Sequence, residues 1–139
     1  MNGARAGVTV HSKRLLIVED DPDLAAVMAD VLETAGYRTD LARNGQEALW
    51  HLRHQAVPSL VLLDLWMPIM NGFEFRARQL EDPALATIPV LVISAELDLQ
   101  KAGALEATVY LRKPVRLVDL VAVVRRLCGN PYEETDQRT

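Results

Sequence analysis

The sequence predicts an α/β fold, in which helices cover both faces of a parallel sheet. Three observations predict it: short apolar runs alternate with helical stretches, the runs are continuous, and charged or hydroxyl residues follow them directly. A continuous run rich in Val, Leu and Ile is typical of a parallel strand buried on both faces. The runs span residues 15–18, 60–63, 90–93 and, more weakly, 109–111, and the more polar segment 37–42 is predicted as an edge strand.

Five helices are predicted between and after these strands, over residues 22–35, 45–55, about 72–80, about 97–105 and 115–127. The first has the clearest boundaries, because Asp21 suits the N-cap, Pro22 the first helical position and Gly36 the residue beyond the end. Asn44 is predicted to cap the second helix. Asp82, which precedes a proline, is predicted to end the third.

Composition limits the class of protein. A chain of 139 residues, half of them hydrophobic, suits one domain with its own core. We expect a flexible N-terminal arm over 1–12, one folded domain over 13–128 and a C-terminal tail over 129–139. The net charge of −4 gives no basic footprint for nucleic acid, and no apolar run is long enough to span a membrane. The single cysteine, Cys128, cannot form an internal disulfide, which favours the cytoplasm.

Residues that can carry chemistry follow four of the predicted strands. Because the carboxyl ends of parallel strands share one edge of a sheet, we expect these residues to line one pocket. Clustered carboxylates repel one another unless a cation or an ammonium group relieves the repulsion. The residues concerned are Glu19, Asp20 and Asp21 after the first strand, Asp64 after the third, Ser94 after the fourth and Lys113 after the fifth.

The pocket predicts phosphoryl-transfer chemistry. Mg²⁺ suits Glu19, Asp20 and Asp64 better than Ca²⁺ does, because no dense cage of oxygen ligands is visible. A carboxylate can serve as the nucleophile, while Mg²⁺, Lys113 and the Ser94 hydroxyl each hold a phosphoryl oxygen. Taken singly, each residue also has an ordinary explanation as a helix cap or turn residue. Their combination, rather than any one residue, predicts the chemistry.

The combination of motifs resembles the receiver domain of two-component response regulators, of the single-domain type, over about residues 14–127. The spacing is similar to that of the family, with 44 positions from Asp20 to Asp64 and 30 from Asp64 to Ser94. The motifs are Leu-Leu-Ile-Val-Glu-Asp-Asp at 15–21, Leu-Val-Leu-Leu-Asp-Leu-Trp-Met-Pro at 60–68, Asn71-Gly72, Val-Leu-Val-Ile-Ser-Ala at 90–95 and Tyr-Leu-Arg-Lys-Pro at 110–114.

The resemblance implies a doubly wound, flavodoxin-like sheet of five parallel strands in the order 2-1-3-4-5. It also implies a role for each matched residue. Asp64 is the phosphoacceptor. The metal ligands are Glu19, Asp20, Asp64 and the backbone carbonyl of Trp66. Ser94 and Tyr110 are the switch residues, and Lys113 binds the phosphoryl group and precedes a cis proline bond. Asp21, by contrast, is interpreted as a helix cap rather than a metal ligand.

The implied function is that of a phosphoprotein switch in a phosphorelay, promoting only its own phosphorylation and dephosphorylation. The donor is a phosphohistidine on a sensor histidine kinase or a histidine phosphotransfer protein. The further expected partners are a downstream effector protein and, in a homodimer, a second copy of the chain. Neither nucleic acid nor a membrane is an expected partner. Alternatives are a receiver fragment of a larger regulator or hybrid kinase, an unphosphorylated interaction module, and a phosphohydrolase. The phosphohydrolase is disfavoured because Trp66 stands where such enzymes carry a second carboxylate.

Departures from the family pattern lie in two places. Only 19 positions separate Ser94 from Lys113, about three fewer than expected, and Glu106-Ala107 replace a small Gly-Ala pair. We therefore expect the fourth predicted helix to be short. Trp66 is hypothesised to shield the aspartyl-phosphate from water, with simple packing as the alternative. Glu96 is hypothesised to oppose this effect by orienting the attacking water.

A pair of histidines lies on the second predicted helix. His51 and His54 are too few for a metal site and are interpreted as a surface pair. Trp50, beside them, is interpreted as a core or interface residue.

Overall fold

The computed structural model describes residues 8–95 and 109–136 of the chain. These residues form seven strands and four helices. The strands are β1 (Val8–Ser12), β2 (Arg14–Val18), β3 (Arg38–Ala42), β4 (Leu60–Leu63), β5 (Val90–Ser94), β6 (Val109–Arg112) and β7 (Tyr132–Asp136). The helices are α1 (Pro22–Thr34), α2 (Gly45–His54), α3 (Gly72–Glu81) and α4 (Leu117–Cys128).

Strands β2 to β6 form one parallel sheet in the order β3-β2-β4-β5-β6. Counted among these five strands alone, the order is 2-1-3-4-5, as the resemblance implies. The predicted fold class is therefore confirmed. The helix predicted over 97–105, with Glu96 and Glu106-Ala107, lies outside the described residues, and its expected shortness stays a prediction.

The helix boundaries follow the capping signals of the sequence. The Asp21 side chain accepts hydrogen bonds from the backbone N–H groups of Asp23 and Leu24, and Asn44 caps α2 in the same way. Helix α3 begins with a reciprocal capping box between Asn71 and Glu74. Each cap satisfies N–H groups that have no partner within the helix, and this sets where the helices start.

Two hydrophobic clusters lie on opposite faces of the sheet. Leu16 and Val18 of β2 pack on the side of α2 and α3, whereas Leu15 and Ile17 pack on the side of α1 and α4. Successive strand residues point to opposite faces, so a strand covered on both sides must be apolar at every position. This is the physical reason for the continuous apolar runs. Among the described helices, none is both long and apolar enough to cross a membrane.

A two-stranded antiparallel ribbon joins the two ends of the described chain. Strand β1 pairs with β7, from Val8 opposite Asp136 to Ser12 opposite Tyr132. The backbone N–H of Lys13 donates to the carbonyl of Pro131 at 2.6 Å. This pairing lies in the segments predicted as an N-terminal arm and a C-terminal tail, and the predicted domain bounds stay a prediction. The pairing joins segments more than a hundred residues apart, so no local pattern announces it.

Candidate phosphoryl-transfer site

The carboxyl edge of the sheet brings the predicted site residues together. Sheet hydrogen bonding continues one residue past two strands, since the N–H of Glu19 donates to Ala42 at 2.9 Å and that of Asp64 donates to Val18 at 3.0 Å. Both carboxylates are thereby held on the rigid sheet rather than on a free loop. Glu19, Asp20 and Asp64 each offer an oxygen, and these three atoms lie within 4.8 Å of one another.

Lys113 brings a positive charge to the same cluster. Its Nζ lies 2.7 Å from Oε1 of Glu19 and 3.4 Å from Oδ2 of Asp64. The backbone N–H of Lys113 donates to the carbonyl of Ser94 at 3.0 Å, which ties the end of β6 to the end of β5. The peptide bond from Lys113 to Pro114 is cis, as the resemblance implies.

Burial dominates the electrostatics of the two inner carboxylates. It raises the pKa of Asp64 above its ordinary value, although the charge of Lys113 acts in the opposite direction. Burial likewise raises the pKa of Glu19 despite its hydrogen bond from Lys113. Burial alone would lower the pKa of Lys113, but the bond to Glu19 and the charge of Asp64 outweigh it and raise that pKa. The site therefore holds negative charge that one ammonium group only partly compensates.

The donor set fits a hard divalent cation. Counting Glu19, Asp20, Asp64 and Lys113, the ionised site carries two negative charges in excess. Carboxylate oxygens are the ligands that such cations prefer. Glu19 and Asp64 are buried, whereas Asp20 is exposed and leaves the cluster open to solvent on one side. These three carboxylates could hold a metal ion.

Asp21 acts as a helix cap, which confirms its interpretation. Its side chain accepts from Asp23 N–H at 3.0 Å and from Leu24 N–H at 3.3 Å. Its own backbone N–H donates to Oε2 of Glu19 at 3.1 Å. The cap therefore also orients Glu19, whose other oxygen faces Lys113.

The two predicted switch residues lie on neighbouring strands. Ser94 is fully buried, and its hydroxyl has no hydrogen-bond partner among the described residues. Tyr110 stands opposite Val92, two residues before Ser94, and is half-buried against the hydrophobic cluster on the side of α2 and α3. A buried hydroxyl without a partner carries a desolvation cost, so it is available to a new acceptor. Their role as a switch stays a prediction.

The loop after Asp64 leads into Gly72, where the backbone packing leaves no room for a side chain. A Cβ placed on Gly72 would lie 2.5 Å from the carbonyl oxygen of Asp64 and 2.8 Å from Cα of Leu65. The N–H of Gly72 also donates to the carbonyl of Leu65 at 2.9 Å. In the sequence this glycine was singled out only as part of the Asn71-Gly72 motif. It permits α3 to start in direct backbone contact with the predicted phosphoacceptor.

Trp66 and Ile69 belong to the same loop. Trp66 is 45% exposed and meets the ring of Phe73 edge-to-face at a centroid distance of 5.6 Å. The backbone N–H of Trp66 donates to Oδ1 of Asp64, with 3.4 Å between the nitrogen and the oxygen. Ile69 has a φ of 71°, which β-branched residues rarely adopt, so no sequence signal could have found it.

The chain as a whole is similar to known proteins. The family model of the response regulator receiver domain matches residues 15–125. An uncharacterized 14.6 kDa protein of Leptolyngbya boryana is 35% identical over 86% of this chain and 93% of its own length. The response regulator Rre1 of Synechocystis is 31% identical over 88% of this chain.

A solved structure agrees with the sequence comparisons. The signal receiver domain of a signal transduction histidine kinase from Syntrophus aciditrophicus superimposes with a TM-score of 0.77 at 33% identity, covering 85% of this chain and 91% of that one. The chain therefore belongs to the response regulator receiver domain family of two-component signalling. It spans 54% of the length of Rre1, about half of that relative.

Proposed function

We propose that this protein is a phosphorylation-dependent switch in a two-component phosphorelay, and that Asp64 accepts the phosphoryl group. The observation that carries the proposal is the convergence of three carboxylates and one ammonium group at the carboxyl edge of the sheet. Membership of the receiver family supports the same conclusion. Asp64 is the proposed nucleophile because it follows the central strand and its carboxylate lies 3.4 Å from Nζ of Lys113.

The proposed reaction moves one phosphoryl group. A carboxylate oxygen of Asp64 attacks the phosphorus of a phosphohistidine, forming a P–O bond as the P–N bond breaks. The imidazole nitrogen leaves with the electron pair and takes up a proton. Attack of water on the aspartyl-phosphate later releases inorganic phosphate and restores the carboxylate. The chain thus promotes only its own phosphorylation and dephosphorylation.

The side chains around Asp64 fit these steps. Bound Mg²⁺, held by Glu19, Asp20, Asp64 and the carbonyl of Trp66, would supply neutralisation of phosphoryl charge. Lys113, already 3.4 Å from the Asp64 carboxylate, is placed to neutralise a phosphoryl oxygen on it. The unpartnered hydroxyl of Ser94 is proposed to donate to another phosphoryl oxygen.

The proposed output is a change in the protein-binding surface. Movement of Ser94 toward the phosphoryl group would vacate space that the Tyr110 ring then occupies. The proposed partners are a sensor histidine kinase or histidine phosphotransfer protein upstream and an effector protein or second copy downstream. We propose a cytoplasmic location and a receiver domain over 13–128. The alternative is a receiver domain within a longer regulator or hybrid kinase, since Rre1 is about twice as long as the match.

Intact-mass measurement tests the proposal directly. The wild-type chain and Asp64→Asn are incubated with Mg²⁺ and acetyl phosphate, and the same samples are repeated without Mg²⁺. We expect one added phosphoryl group on the wild type only, and only with Mg²⁺. Because small donors do not serve every phosphoacceptor, binding of beryllofluoride is measured in parallel through tryptophan fluorescence, to which Trp66 beside the site and Trp50 both contribute. Failure of both would favour the unphosphorylated interaction module.

A further inference from the structure

Helices α2 and α3, together with Met70 from the loop that precedes α3, line a surface groove that contains none of the clustered carboxylates. It has a volume of about 290 Å³. Leu49 is buried and Met70 is half-buried, so the floor of the groove is apolar, while the remaining lining residues are exposed. Its lining includes Leu49, Trp50, Arg53, His54, Met70 and Arg78.

Trp50 presents an aromatic surface at the rim of this groove. Its side chain is 52% exposed, so the interpretation of Trp50 as a core residue is wrong and the interface interpretation remains. The His54 ring stacks against it at 4.8 Å with an interplanar angle of 17°. Nδ1 of His54 also lies 2.9 Å from the Trp50 carbonyl, to which it must donate because a carbonyl only accepts. One face of the indole is therefore covered by the imidazole, and the His54 ring is itself tied to the backbone of α2.

The groove differs in charge from the chain as a whole. The chain has 19 acidic and 15 basic residues, yet no carboxylate lines the groove. Neither Arg53 nor Arg78 forms a salt bridge with any part of the chain that the structure describes. Two unpaired guanidinium groups thus stand beside an exposed indole. Guanidinium groups match carboxylates in a planar, two-point geometry, and Trp and Arg dominate the energetics of protein interfaces.

From this arrangement we infer that the groove between α2 and α3 binds an acidic segment of a partner protein. The carboxylates of that segment pair with Arg53 and Arg78, and a bulky apolar side chain packs on Trp50 and the apolar floor. The thioether of Met70 can adapt to the shape of that side chain. This site goes beyond the proposed phosphoryl chemistry and needs no phosphorylation of Asp64.

A displayed library of random peptides tests the inference on the unphosphorylated full chain. The library is selected on the wild type and counter-selected on Arg53→Glu/Arg78→Glu. We expect the recovered peptides to be rich in Glu and Asp around an aromatic or aliphatic residue. A fluorescein-labelled copy of one such peptide should bind the double variant and Trp50→Ala at least about tenfold more weakly than the wild type.

A matched variant separates a specific site from general charge attraction. Arg116→Glu/Arg126→Glu makes the same change in net charge at two exposed positions, the N-cap and the last turn of α4. Its affinity for the peptide should stay within about twofold of the wild-type affinity, since exposed charges act weakly at a distance. Equal losses in both double variants would overturn the inference, as would recovery of peptides without acidic enrichment. Competition by a single-stranded oligonucleotide would instead indicate a general polyanion surface. Circular dichroism of each variant shows whether a loss of binding is due to misfolding. Acetyl phosphate labelling of each variant tests the proposed function separately from peptide binding.

Discussion

Replacing Gly72 by alanine should damage both the fold and the site. The new Cβ would lie 2.5 Å from the carbonyl oxygen of Asp64, whereas ordinary van der Waals contact begins at 3.4 Å. The oxygen or the start of α3 must therefore move by about 0.9 Å. Both close contacts are with backbone atoms, which cannot rotate away as the end of a flexible side chain can.

The expected loss of stability follows from two opposing effects. Overpacking of this kind costs about 1–3 kcal/mol. The better helix propensity of alanine returns up to about 1 kcal/mol. The two effects together leave a net loss between about zero and about 3 kcal/mol. The middle of that range, about 1–2 kcal/mol, corresponds to a decrease in Tm of about 3–8 °C for a domain of this size. Thermal and urea denaturation measure it.

The expected effect on phosphorylation is larger than the loss of stability. A shift of about 1 Å at a reacting group can cost up to about a hundredfold in rate. Gly129→Ala is the matched control, because Gly129 has a φ of 83° and lies at the opposite edge of the sheet, next to Lys13. It should lose stability yet be labelled by acetyl phosphate at the wild-type rate. If Gly72→Ala keeps the wild-type Tm and labelling rate, the packing argument is refuted.

Three further predictions concern the carboxylate cluster and the loop beside it. Without Mg²⁺, Asp64→Asn should raise the Tm at pH 7 by a few degrees. The raised pKa of Asp64 means that its folded form binds protons more tightly, so wild-type stability falls as pH rises from about 3.8 through the folded pKa. Urea midpoints across this range should show a weaker fall for the variant, and equal slopes would contradict the reasoning. Lys113→Met should lower the free energy of unfolding, measured by urea denaturation without Mg²⁺, by about 1–3 kcal/mol, because the charges of Glu19 and Asp64 are then uncompensated. Adding Mg²⁺ should restore part of that stability. No response to Mg²⁺ would count against a shared cation site. If the indole shields the aspartyl-phosphate, Trp66→Asn should speed the release of phosphate by about threefold to tenfold. That change corresponds to a hydrolysis barrier lower by about 0.6–1.4 kcal/mol. An unchanged rate of phosphate release would leave Trp66 only a packing role.

Much of the fold was predictable because its determinants are local. The runs at 15–18, 60–63 and 90–93 lie within strands of the observed sheet, since burial on both faces requires apolar residues at every position. Asp21 and Asn44 cap helices as predicted, because capping depends on residues two or three positions away. Periodicity predicts burial less reliably. Val27 stands at helical spacing among the apolar residues of α1, yet it is 47% exposed. Spacing gives a helix face but not what covers it.

The set of candidate site residues also came from the sequence, because a parallel sheet must gather the ends of its strands at one edge. Glu19, Asp64 and Lys113 each follow a strand directly, so their meeting was predictable without coordinates. Their distances, and the dominance of burial over the attraction of Lys113, depend on how closely the strands and helices pack.

Other features arise only from contacts between distant segments. The pairing of β1 with β7 and the 2.5 Å approach of Gly72 to Asp64 depend on where separate elements dock. The groove beside Trp50 likewise forms between two helices whose facing residues are not adjacent in sequence. The sequence by itself determined the elements, their order and the chemistry at the strand ends, because those follow from local patterning and sheet topology. The tertiary structure alone decided the close approaches and surfaces, because these depend on the relative positions of whole elements.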